Sequence, residues 1–271
     1  MEYNKALSLD PKDARTLFNR GNTYLALQRI EQAHSDFDLA IQIMPTNAKF
    51  YHSKGLAYQD TNEYEKAIEM FQKALDVSSD HIPSLYHLGL MEHKSKQLGA
   101  ALESLTKVLA AIGDDRLVYE SRGIVYQDIK NHKKAIEDFN KGAEIEPIYP
   151  ETYYLRGISK VELGKLGEGT YQDAIEDFLY AEELGSKNAG IFKGIGEAYR
   201  LLKDFDKALY YLNEALKRDS NNEDFLIERS NIYVDTKHYP KAIEDLSNAL
   251  SRKNTDPRIL YKRGLAFYKN R

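Results

Sequence analysis

Glycine stands at positions 21, 55, 89 and 123, each 34 residues after the last, and the column continues through Gly157, Gly196, Ser230 and Gly264. A fixed period of this length means that each repeat is one small unit unable to bury its apolar face alone, so the chain has to stack its repeats into an array. With the residue seven before each glycine taken as position 1, the units begin at Ala14, Ala48, Ile82, Arg116, Pro150, Ala189, Glu223 and Pro257. Every step is 34 residues except the 39 from Pro150 to Ala189.

Other columns keep the same register. Position 4 holds Leu17, Tyr51, Leu85, Tyr119, Tyr153, Phe192, Leu226 and Leu260, and position 11 holds Tyr24, Tyr58, Tyr126, Tyr199 and Tyr233. Alanine fills position 20 (Ala33, Ala67, Ala101, Ala135, Ala174, Ala208, Ala242), and a large apolar residue follows four later (Phe37, Phe71, Leu105, Phe139, Phe178, Leu212, Leu246). Small and large residues at a four-residue spacing define a helical face that packs against a neighbour. Asp13, Asn47, Asp115, Asn188, Asn222 and Asp256 at position 34 can accept from the free amides that open a helix, and Pro150 and Pro257 suit its first turn. Pro11, Pro45 and Pro147 at position 32 stop the helix before it, because proline cannot continue the amide ladder.

The bulky residue, glycine, tyrosine, alanine, phenylalanine and proline at these offsets resemble the tetratricopeptide repeat family. The resemblance covers a second helix at 1–13, seven repeats (14–47, 48–81, 82–115, 116–149, 150–188, 189–222, 223–256) and a first helix at 257–271. It implies an all-α, right-handed superhelical solenoid of antiparallel helix pairs, with a ligand groove lined by the first helix of each pair. It further implies that positions 2, 5, 6, 9, 12 and 13 face that groove. These include Phe18, Asn22, His52, Tyr86 and His93, then Glu120, Asp128, Tyr154 and Glu162, then Lys193, Arg200, Arg258, Tyr261 and Lys262. The groove is expected to run from aromatic and polar through acidic to basic, which suits an extended or helical protein segment of opposite pattern.

An internal comparison adds to the family pattern. Position 7 is arginine where position 23 is aspartate: Arg20 with Asp36, Arg122 with Asp138, Arg156 with Asp177, Arg229 with Asp245. Where position 7 is Leu88 or Ile195, position 23 is Ser104 or Tyr211, and Lys54 with Met70 departs from the rule. A partly buried, two-pronged ion pair between the helices of each such repeat is expected. The five extra residues fall within Gly164–Thr170, between the helices of the fifth repeat, where three glycines predict a mobile turn.

Composition narrows the function. The chain has no cysteine, hence no disulfide framework and no thiolate ligand or nucleophile. Net charge is −4 and the pI near 6.0, which argues against a general nucleic-acid binder. Lys and Arg number 12 against 16 acids over residues 1–115, 10 against 14 over 116–188, and 16 against 12 over 189–271. No apolar run is long enough to span a bilayer. The seven histidines form no zinc-helix spacing, and Glu137-Asp138 and Glu176-Asp177 are equivalent repeat columns rather than a catalytic acid pair.

The expectation is therefore a non-enzymatic module with no cofactor, binding a protein or peptide in a larger cytoplasmic assembly, with a ciliary or trafficking setting suggested by its Arg-Gly variant. Two alternatives stand beside it: a co-chaperone-like receptor for an acidic C-terminal tail, and the substrate-recruiting arm of an enzyme. Of the family's chaperone-clamp positions in the first three repeats, only Asn22 matches; in the last three units Lys193, Arg258 and Lys262 match, while Glu197 and Glu228 replace asparagines. Leu260, Gly264 and Phe267 would face no partner helix, so the sequence reads as a slice of a longer array whose ends stack on each other.

Overall fold

The computed structural model describes residues 2–250 and 256–270; residues 251–255 of the seventh expected repeat lie outside them, as do Met1 and Arg271. The described residues form helices joined by short turns and divide into two compact units, Met1–Lys130 and Asn131–Arg271.

The first unit holds α1 (Glu2–Leu9), α2 (Ala14–Ala26), α3 (Ile30–Ile43), α4 (Ala48–Asp60), α5 (Tyr64–Val77), α6 (Ile82–Lys94), α7 (Leu98–Ile112) and α8 (Arg116–Asp128). Each helix packs on the next, and the first helices also touch one another in the order α2, α4, α6, α8. The column glycines set the closeness of the pairs. A Cβ at Gly21 would lie 2.7 Å from the Phe37 ring, and one at Gly55 2.6 Å from the Phe71 ring. Both rings are fully buried, each contributing roughly 1.5–3 kcal/mol through the area it hides.

The second unit holds α9 (His132–Ile145), α10 (Pro150–Lys165), α11 (Tyr171–Glu183), α12 (Gly190–Leu201), α13 (Phe205–Arg218), α14 (Glu223–Asp235), α15 (Tyr239–Leu250) and α16 (Pro257–Lys269). Its core joins Tyr153, Phe178, Ile191, Ile195, Leu226 and Leu246. Here Phe178 is used twice: its ring would lie 2.7 Å from a Cβ at Gly157 and 2.6 Å from one at Gly194 in the next repeat.

Helix starts follow the polar column. Asp13, Asn47, Asp115, Asn222 and Asp256 each accept from an amide of the first turn. Asn188 Oδ1 accepts from the Gly190 amide at 2.8 Å. Helix ends follow a rule that the sequence does not announce. Gln28, Asn62, Lys96, Lys130, Lys203 and Lys237, all at position 15, sit in the left-handed region without being glycine. The turn is closed by a bond from the next amide back to the position 11 carbonyl, as in Arg29 to Tyr24 and Asp204 to Tyr199.

The insertion differs from its expectation. Rather than forming only a mobile turn, part of it lengthens α10, which runs through Lys165. Gly164 is helical, with the Tyr171 ring 2.7 Å from where its Cβ would be, and only Gly167 takes the left-handed conformation there. Glycine at 164 thus serves close packing against an aromatic ring, a demand that outweighs its low helix propensity.

Candidate functional site: the inner faces of the first helices

The basic residue at position 7 organises both units. Arg20 donates from Nε and Nη2 to Asp36 at 2.7 and 2.6 Å, and Arg229 does the same to Asp245 at 2.9 and 2.7 Å. Arg156 reaches Asp177 at 2.8 and 2.6 Å, where Lys160 Nζ also contacts Oδ2 at 2.8 Å. The aspartates are nearly sealed from solvent and the arginines half-buried. Arg122 belongs to the first unit and Asp138 to the second.

The same guanidinium makes a second contact, between repeats, which the pairing of columns within a repeat does not reveal. Nη1 of Arg20, Arg156 and Arg229 donates to Asn4, Asn140 and Asn213 at 2.8 Å, each 16 residues earlier, in the preceding repeat. Arg122 reaches Thr106 and Arg263 reaches Ser247 across the same interval. Lys54, which departs from the within-repeat rule, bonds to Asp38 16 residues before it. The spacing i−16, rather than i+16, is the signal that would have accounted for it.

In the third repeat Glu92 replaces the position 11 tyrosine, and Ser104 Oγ donates to it at 2.7 Å in a buried setting. Burial pushes the Glu92 carboxyl above its ordinary value.

Along the inner face of the first unit, the expected groove residues come together as rings. Phe18 packs against Phe50 at 4.9 Å and Phe37 at 6.1 Å between centroids. His52 lies 5.5 Å from Phe71, 5.2 Å from His81 and 5.5 Å from His87. Its Nδ1 is 3.1 Å from Ser84 Oγ, which is also 2.8 Å from His81 Nδ1. Burial among neighbours that would share its positive charge depresses the His52 pKa to about 4, and burial lowers His81 and His87 as well. Tyr86 Oη meets Ser121 Oγ at 3.3 Å, and His93 Nε2 meets Asp128 Oδ2 at 2.9 Å, with Lys96 Nζ on the same oxygen at 3.2 Å. Asn22 is half-buried on the same helix as Phe18. Glu120 is drawn inward: it is buried and takes Arg116 Nη1 at 2.6 Å along its own helix.

In the second unit the inner face is cross-linked by charge. Lys165 bridges Glu162 and Glu197 at 2.6 Å each, and Lys193 lies 3.7 Å from Glu197. Arg200 binds Glu228 at 2.7 Å and Asp235 at 3.0 Å, and Asn231 connects Glu228 to Lys262 through bonds of 2.9 and 2.8 Å. Tyr154 packs at a tilt against Phe178 with ring centroids 6.1 Å apart, and burial raises its phenol pKa. A cleft of about 240 Å³ opens between Arg200, Asn231, Val234, Lys262 and Leu265. Tyr261 projects into solvent, and Arg258 folds back on Asp256 at 2.7 Å. Counting charges suggested an acidic stretch followed by a basic one; in the folded unit these charges largely neutralise one another across neighbouring repeats.

Among the described residues no three His, Asp or Glu side chains are arranged to hold a metal ion, and no helix is long and apolar enough to cross a membrane.

Helix pairs of this register, glycine against ring, define a tetratricopeptide-type solenoid. Models described as "Tetratricopeptide repeat" or "TPR repeat" match residues 2–35, 48–81, 118–149, 189–222 and 230–270, and the chain belongs to the tetratricopeptide repeat family. No curated protein sequence matches significantly. Among solved structures, a tetratricopeptide repeat protein from Parabacteroides merdae aligns with a TM-score of 0.75 at 15% identity, over 94% of this chain and 98% of that one. The Cut9–Hcn1 hetero-tetramer of the APC/C aligns with a TM-score of 0.71 at 19% identity over 97% of this chain, which spans about half (51%) of the matched one. YrrB, described as a TPR protein with an unusual peptide-binding site, aligns with a TM-score of 0.61 at 21% identity, over 75% of this chain and 98% of that one. At these identities the likeness is one of fold.

Proposed function

We propose that the chain is a protein-interaction scaffold, holding a segment of another protein against the inner faces of its first helices without chemical turnover. The observation that carries this reading is the ring surface of the first unit. Phe18, His52, Tyr86 and His93 stand on consecutive first helices that touch one another; Phe18 is held by the Phe37 and Phe50 rings, and His52, Tyr86 and His93 by hydrogen bonds to neighbouring side chains. A preorganised aromatic and amide surface binds an extended or helical segment at small entropic cost. The likeness to YrrB and to a chain of the Cut9–Hcn1 hetero-tetramer, one named for peptide binding and the other for assembly, supports the same reading.

A larger cytoplasmic assembly, with the ciliary or trafficking setting included, is the proposed context. Nucleic acid is not among the proposed partners, because the inner cations of the second unit already face carboxylates. That pairing also weighs against the acidic-tail receptor. A carboxylate entering near Lys262 would meet Glu228 and Asp235 on Arg200.

The test is affinity capture with the chain, followed by crosslinking of the bound segment. Crosslinks should fall on the inner faces of α2, α4, α6 and α8, and His52→Ala with Tyr86→Ala should weaken capture at least about tenfold, a loss of about 1.4 kcal/mol. Crosslinks confined to the second helices of the pairs would overturn the reading.

A further inference from the structure

The insertion in the fifth repeat places an ammonium between two carboxylates of the inner face. Helices α8 and α14 stop after 13 residues, whereas α10 runs for 16 and so carries Lys165 one turn beyond Glu162. From there Lys165 Nζ reaches Glu162 on its own helix and Glu197 on α12, the next first helix, at 2.6 Å each. Asp128 and Asp235 instead take their cations from regular repeat positions, His93 and Lys96 in one case and Arg200 in the other. Burial alone would raise the Glu197 carboxyl, but Lys165, Lys193 and Arg200 hold it below its ordinary value, so it faces the cleft as a full charge.

Beside this ion pair lies a cavity of about 110 Å³ between α10 and α12. Phe178 and Val161, both buried, give it an apolar side together with Ile158, and Glu162 and Glu197 line its charged rim. Glycines on α12 keep that wall low: a Cβ at Gly190 would lie 2.5 Å from Tyr154 Oη, and one at Gly194 2.6 Å from the Phe178 ring. An apolar cavity of about 150 Å³ accepts benzene, so this one suits a smaller, branched aliphatic side chain. Lys165 satisfies the rim charge alone; a partner that brings an aliphatic side chain and a cation satisfies both parts of the cleft.

We infer that the cleft between α10 and α12 is a docking site for a protein segment pairing a branched aliphatic residue with a lysine or arginine, and that Lys165 is its resident competitor. The aliphatic side chain seats against Phe178, and the partner's cation takes Glu162 and Glu197 while Lys165, already 33% exposed, turns out to solvent. One ion pair is exchanged for another, so the burial of the aliphatic side chain decides the balance. The site rests on the scaffold reading in that its occupant is a protein segment, but it uses none of the ring residues of the first unit.

Short peptides test it. Acetylated and amidated alanine-based nonapeptides, with one leucine and one lysine at spacings of one to four residues, are titrated into the isotope-labelled chain at low salt while NMR follows the Gly190 and Gly194 amides. At least one spacing should give saturable shifts. Glutamate in place of the lysine should abolish them, and alanine in place of the leucine should weaken binding at least about fivefold. Lys165→Gln, which removes the competing charge and keeps the stem, should tighten binding at least about threefold, because the open form of the site is then no longer the minor one. Glu162→Gln with Glu197→Gln should weaken binding at least about tenfold, and circular dichroism checks that these variants keep their helices. No shift at any spacing, equal binding of the glutamate analogue, or binding to Lys165→Gln no tighter than to the wild type overturns the site. His52→Ala with Tyr86→Ala should leave these titrations unchanged, so failure here and failure of capture by the first unit are read separately.

Discussion

Asp177 is the sharpest place to test what the position 7 arginines do. Removing its carboxylate by Asp177→Ala strips two cations at once: the fork of Arg156, at 2.8 and 2.6 Å, and Lys160 at 2.8 Å. Orphaning a buried charge costs about 3–5 kcal/mol. The Arg156 and Lys160 side chains keep 17% and 23% exposure, and Arg156 retains Asn140 and the face of Tyr153, so the lower end, about 3 kcal/mol, is the fitting figure. Repeat arrays open locally, so the measurement is amide hydrogen exchange in α10 and α11 rather than a single melting temperature. Protection there should fall about a hundredfold, while Glu69→Ala, which removes an exposed i,i+4 bridge to Lys73, should change protection in α5 by less than about fivefold. Equal losses in the two variants would refute the claim that burial, rather than charge pairing as such, gives these arginines their weight. The double change Asp177→Leu with Arg156→Met should recover much of the loss, since apolar pairs of like volume replace buried ions at little cost.

Further outcomes follow from other features. The imidazoles of His52, His81, His87 and His34 are held below their ordinary value, so the folded first unit resists protons that the unfolded chain accepts. Their contribution is therefore complete above about pH 6.5 and is lost as pH falls toward 4, and His52→Gln should flatten that part of a urea-denaturation pH profile. Gly194→Ala forces a methyl into the Phe178 ring and should destabilise by about 1–3 kcal/mol, whereas Gly264→Ala meets open space and should stabilise α16 by about 0.5–1 kcal/mol, both read by chemical denaturation. Lys203 holds a left-handed turn as an L residue, so Lys203→Gly should not destabilise and should add up to about 1 kcal/mol in the same assay.

The helix pairs were legible because their determinants are periodic: glycine needs a ring sixteen residues on, and a capping aspartate or asparagine needs only its own next turn. What stayed hidden depends on which neighbour a side chain chooses. Lys54 looked exceptional because its partner, Asp38, lies in the previous repeat. Glu120 looked like a groove acid because position alone does not reveal that Arg116 pulls it into the helix packing. Lys96 and Lys203 gave no sign of their left-handed turns, since the surrounding bonds impose a conformation that the residue itself disfavours.

The i−16 contact leaves the array with seams of two chemistries. Arg20, Lys54, Arg156 and Arg229 stitch their repeats to the one before with polar bonds. At Leu88 and Ile195 the position 7 side chain is instead apolar and buried, while the acceptor column holds the exposed Gln72 and Leu179. Solvents that compete for carboxylates and amides act on the first kind; cooling, which weakens apolar burial, acts on the second. Where such a chain first parts is then a property of its surroundings as much as of its sequence, and a solenoid of nearly identical repeats can yield at different joints under different conditions.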